Sequence, residues 1–108
     1  MKYSSVREIL ENIVELLIAG DFPLLWLNDL DQRIAAEEMS EAVSGYGTMT
    51  TPPPSSFEKI NIYQTDDPNQ VRIDFDLWFD GSKSDLTLKC TINSSQLKKY
   101  SIDDIRML

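Results

Sequence analysis

The spacing of apolar residues changes once along this chain, from helical to strand-like, and that change limits the fold more than any other feature. Val6, Ile9, Leu10, Ile13, Leu16 and Leu17 recur at helical intervals, with Val14 and Ile18 widening the stripe. Beyond residue 59 the period is two. Ile60 and Ile62, then Val71, Ile73, Phe75, Leu77 and Phe79, then Leu86, Leu88, Cys90 and Ile92, then Tyr100 and Ile102 mark four strands. Helices first and strands after predict an α+β domain, with three N-terminal helices packed on a four-stranded antiparallel meander. At 108 residues the chain has room for a single domain, 1–108. It divides into a helical half (1–47), a proline-rich crossing (48–57) and a sheet (58–108).

Local signals set the expected boundaries. Ser5 and Glu8 have capping-box spacing, and Gly20 supplies a stop, so a first helix is expected over about 5–19. Asp21 can cap a second helix with Pro23 in its first turn. Phe22, Leu24, Leu25, Trp26, Leu27 and Leu30 then point almost all ways round, so this helix is either buried or meets a partner. A third helix is expected over about 34–45, with Met39, Ala42, Val43 and Tyr46 facing inward. Pro52-Pro53-Pro54 predicts an extended polyproline crossing that excludes helix. Matching apolar residues across the middle hairpin pairs Phe79 with Ser84 around a four-residue loop, and Leu77 with Leu86, Phe75 with Leu88 and Ile73 with Cys90. The outer face then pairs Asp76 with Thr87 and Asp74 with Lys89.

Composition removes several kinds of chemistry. Histidine is absent and Cys90 is the single cysteine, which excludes an intramolecular disulfide and nucleophiles activated by histidine. No cofactor, metal centre or catalytic residue is expected. The net charge of −8 argues against nucleic-acid binding. Residues 1–56 hold nine acids against three bases, whereas 57–108 hold nine against seven, so the acidity is concentrated in the helical half. No apolar run approaches the ~18 residues of a membrane helix. Glu8, Glu11 and Glu15 in the first helix are unlike a secretory leader, so no membrane partner and a cytoplasmic location are expected.

Candidate contact residues follow from exposure and charge. Glu8, Glu11 and Glu15 share one helix face, and Glu37, Glu38 and Glu41 another. Asp74, Asp76 and Asp85 lie on the outer sheet face near Trp78. They form a candidate carboxylate cluster, but alternate strand positions stand roughly 7 Å apart, too far for one ion without a neighbouring strand. A solvated face, with Lys89 against Asp74, is the plainer assignment. Trp78 alternates outward and is the best aromatic pointer to a contact surface, whereas Trp26 and Tyr46 are expected in the core. Cys90 faces inward as an inert thiol.

Several segments together resemble an uncharacterised family of small bacterial proteins. These are Ala19-Gly20-Asp21, Tyr46-Gly47 before Pro52-Pro53-Pro54, Leu77-Trp78, Gly81 with Ser84-Asp85-Leu86-Thr87-Leu88, and Asp103-Asp104-Ile105 with Leu108. The order of helices before a meander is also similar to a reduced NTF2-like or cystatin-like two-layer fold, whose curved sheet often encloses a pocket. The histidine dyads of NTF2-like enzymes have no counterpart here. Small size, acidity on helices and a composition poor in catalytic groups suggest a binding protein that neutralises a basic partner, such as an immunity protein acting on a toxin domain. The alternatives are an NTF2-like ligand-binding or enzymatic domain and a homodimeric accessory domain.

Overall fold

The computed structural model describes residues 3–107; Met1, Lys2 and the Leu108 of the closing motif lie outside them. Among the described residues four helices precede four strands. The helices are α1 (Tyr3–Ala19), α2 (Phe22–Leu27), α3 (Ala36–Val43) and α4 (Pro54–Glu58), and the strands are β1 (Asn61–Gln64), β2 (Gln70–Phe79), β3 (Ser82–Asn93) and β4 (Tyr100–Met107). The sheet is an antiparallel meander in the order β1-β2-β3-β4. No described helix is long and apolar enough to cross a membrane.

α1 buries Val6, Leu10, Ile13, Val14 and Leu17, the stripe its spacing requires. Ser5 does not cap it. The helix already includes Tyr3, whose hydroxyl donates to the Phe57 carbonyl of α4 and ties the first turn to the crossing. α2 begins as its sequence demands, with Pro23 in the first turn and the Asp21 carboxylate accepting from the Leu24 N–H at 3.4 Å. α3 is shorter than its periodicity suggests and buries Met39.

The crossing departs from the polyproline expectation. Pro53 is extended, but Pro54 opens a fourth helix, since the first turn of a helix leaves its N–H groups unbonded anyway. That short helix is anchored by Phe57, which stacks on Phe75 with ring centroids 5.0 Å apart. Inner-face residues of β2, β3 and β4, from Val71 to Ile105, close the core against all four helices.

The centre of the β2–β3 hairpin pairs as the apolar matching requires: Ile73 with Cys90, Asp74 with Lys89, Phe75 with Leu88 and Asp76 with Thr87. Its tip does not. The loop has two residues, not four: Asp80 and Gly81, both at positive φ (52° and 78°), join Phe79 directly to Ser82. Two positive φ values suit the strong right-handed twist of a two-residue hairpin, and Asp-Gly is a preferred sequence for it. The displaced residues form a bulge opposite Leu77. There the Ser84 hydroxyl donates to the Leu77 carbonyl at 2.7 Å and accepts from the Leu86 N–H at 3.1 Å, standing in for the interrupted ladder.

The β4 edge is closed over its first half by the segment after α2. The Leu30 N–H donates to the Tyr100 carbonyl, and the buried Asp29 carboxylate accepts from the N–H groups of Asp31, Gln32 and Ile102. The Tyr100 hydroxyl donates to the Leu25 carbonyl at 2.8 Å. Burial, aided by Asp29, pushes that phenol up to about 12.

Candidate functional site

The outer face of the sheet carries a polar lattice. Lys89 Nζ lies 3.0 Å from Asp74 Oδ1, the Thr87 hydroxyl donates to Asp76, and the Thr91 hydroxyl donates to Asp103, which also takes the Arg33 guanidinium at 3.0 Å. Asp74 and Asp76 are therefore already engaged. Asp85 sits exposed in the bulge, away from them in the ladder. Among the described residues, no three side chains able to bind a metal converge.

Asp74, Asp76 and Trp78 do come together along the outer edge of β2. They line an open cleft of about 460 Å³ with Ser55, Ser56 and Lys59 of the α4 region, Asn61, Phe75 and Lys83. The cleft exists because the β2 edge is paired on both sides of a gap. β1 covers Val71 to Asp74. Thr48 to Thr50 cover the other end, where the Thr50 N–H donates to the Trp78 carbonyl at 2.9 Å and the Asp80 N–H to the Thr48 carbonyl at 2.8 Å. Met49 faces Phe79, so continuing that register would set Pro52 opposite Asp76. Proline has no N–H to offer a strand, and the chain turns away into α4. Sequence reasoning missed Lys59, Lys83 and the two serines. The signal was present in Pro52, read against the segment that precedes it.

The acidic helix residues fall into two groups. Glu8 and Glu15 of α1 are exposed, and Glu11 lies 2.6 Å from Arg7. Glu37, Glu38 and Glu41 of α3 are exposed. Glu38 also accepts from the Ala35 N–H, and with Glu41 and Asp104 it rims a second cleft of about 390 Å³ floored by Ile34, Ala42 and Ile105. Between α1 and α3, and touching both, lies α2. Of its apolar residues only Leu25 is buried; Leu24, Trp26 and Leu27 are 38, 37 and 56 % exposed, and Leu30 just beyond is 37 % exposed. Trp26 is thus not a core residue, because the chain after α2 is drawn onto β4 through Asp29 and leaves that helix face uncovered. Tyr46 is half-buried and packs on Phe79, centroids 5.3 Å apart. Cys90 is fully packed, and burial pushes its thiol well above the ordinary range.

These features define a small two-layer α+β domain with an acidic helical layer, an uncovered apolar helix and an open cleft at a sheet edge. The chain belongs to a family described as a domain of unknown function (DUF7668), whose model matches residues 14–108. No curated protein and no solved structure matches it.

Proposed function

We propose that the protein binds and neutralises a cationic protein partner, in the manner of an immunity protein or inhibitor. The observation that carries this proposal is the exposed apolar group Leu24, Trp26 and Leu27, with Leu30 just beyond them, on a helix that touches the two acid-bearing helices. Large apolar side chains at the centre of a polar surface are the usual anchors of a protein interface. Glu8, Glu15, Glu37, Glu38 and Glu41 would steer a basic partner onto them and set the salt dependence of association. The carboxylates act on the rate of encounter, and the α2 side chains on the lifetime of the complex.

Co-expression with the product of the neighbouring open reading frame tests this proposal. A stable complex, rescue of growth and loss of both on Leu27→Glu support it. Absence of complex and rescue refutes it. A tight homodimer in sedimentation, dissolved by Leu27→Glu, would reassign the α2 face to a second copy of this chain.

The element order also supports an NTF2-like or cystatin-like description of the fold. Within that description the side chains of α1 fill the space between the layers. A ligand would then enter the cleft outside β2 instead of an interior pocket.

A further inference from the structure

We propose that the cleft beside β2 receives an extended segment of a partner protein, which bonds to the free backbone of Asp76 and completes the sheet edge. Along an antiparallel strand, the N–H and C=O of one residue point to the same side, and alternate residues to opposite sides. Leu77 directs its carbonyl toward β3, where Ser84 reaches it. Trp78 directs its carbonyl the other way, to Thr50. Asp76 shares the parity of Trp78, so its N–H and C=O face the cleft. They fall between the β1 pairing, which ends at Asp74, and the pairing of Thr48 to Thr50. Among the described residues neither group has a partner in those flanking segments, and the N–H of Trp78 has none there either.

What pairs with this edge on both sides of the gap is extended chain, and the gap presents the same donors and acceptors. The occupant that matches is therefore a third extended segment, with one residue offering its C=O to the Asp76 N–H and its N–H to the Asp76 C=O. At about 460 Å³ the cleft is in the size range of ligand pockets. Its charges select among such segments. Asp74 is paired with Lys89, and Lys83 lies 3.9 Å from Asp76. Lys59 is the charged side chain of the lining with no ion-pair partner among the described residues. The favoured segment carries an acidic side chain beside the pairing residue.

This site is separate from the α2 face, and its test leaves that face intact. The probe is the tripeptide N-acetyl-Thr-Val-Glu-amide, titrated into the uniformly ¹⁵N-labelled full chain. Saturable millimolar binding is expected, with shifts centred on the Asp76 and Trp78 amides and the Trp78 indole. The same peptide methylated on its valine nitrogen should bind at least tenfold more weakly. The Asp76 amide should exchange faster with solvent than those of Phe75 and Leu77 in the free protein, and slow when the peptide is added. Replacing the peptide's glutamate by lysine should weaken binding, and Lys59→Gln should cancel that difference. Equal binding of the methylated peptide, shifts centred on α2, or an Asp76 amide protected in the free protein would overturn the proposal. Loss of shift at Asp76 in Leu27→Glu would merge the two sites and overturn their independence.

Discussion

Replacing Asp29 by alanine strips three backbone N–H groups of their acceptor at once. The carboxylate is 0 % exposed; Oδ1 accepts from Asp31 at 3.0 Å and Gln32 at 2.9 Å, and Oδ2 from Ile102 at 2.8 Å. Hydrogen bonds to a charged group contribute ~1.5–3 kcal/mol each, and a buried donor left unpaired costs ~1–3 kcal/mol. Water can reach the partly buried Asp31 and Gln32 groups, whereas the Ile102 N–H lies in the buried run of β4. The total cost should be about 3–6 kcal/mol, a large share of the ~5–15 kcal/mol that holds such a domain together. In urea unfolding with a slope of about 1.5 kcal/mol/M, the midpoint should fall by roughly 2–4 M. Asp29→Asn keeps an acceptor for Asp31 and Gln32 but turns an amide N–H₂ toward Ile102, so its loss should be smaller, about 2 kcal/mol. An alanine variant whose midpoint stays within about 0.5 M of the parent would refute the assignment of Asp29 as the clamp between the α2 segment and β4.

Two further outcomes follow from the same geometry. Ser84→Ala removes the hydroxyl that bridges Leu77 and Leu86 in the bulge, and should cost about 1–2 kcal/mol in the same assay; an unchanged midpoint would show the bulge to be held by backbone alone. The raised Cys90 thiol and Tyr100 phenol make stability fall in alkali. Their ordinary values are 9.0 and 10.0, and above these the unfolded chain gives up protons that the folded chain keeps. This contribution is therefore fully present below pH 9.0 and declines as pH rises toward about 12, the folded value of Tyr100. Urea midpoints across that window should fall less steeply in Cys90→Ala and Tyr100→Phe, and equal slopes in all three proteins would contradict it.

Much of the sheet was legible because period-two alternation leaves few choices. A one-residue slip would put Ile73 or Phe75 on the polar face, so parity sets apolar residues of β2 opposite apolar residues of β3, and the assumed four-residue loop then selects Ile73 with Cys90 and Phe75 with Leu88. Parity is blind to a shift of two, and that is the size of the bulge at Ser84 and Asp85; only the chemistry of Asp80-Gly81 distinguishes the tight turn. The triple proline was misjudged for a related reason. Proline forbids a helix interior but not its first position, and Pro54 occupies that position once Phe57 has a stacking partner in Phe75. Nothing local in the sequence announces that partner. The apolar residues all round α2 left burial and exposure equally open, and the exposure of Leu24, Trp26 and Leu27 depended on Asp29, whose contact with Ile102 spans 73 residues of chain. Asp74, Asp76 and Trp78 share one face as period two requires, but the bulge carries Asp85 away from them, and the wall of the cleft they share comes from α4, which the triple proline conceals.

The proposed binding function is tested most directly by calorimetric titration of the purified protein with the product of the neighbouring open reading frame, at low and high salt. The parent should form a one-to-one complex whose affinity falls as salt is raised. Leu27→Glu should abolish it, while a triple variant Glu37→Gln, Glu38→Gln, Glu41→Gln should keep the complex but lose most of the salt dependence. No heat of binding from the parent, or a complex indifferent to Leu27→Glu, would contradict the assignment of α2 and its acidic neighbours as the functional surface.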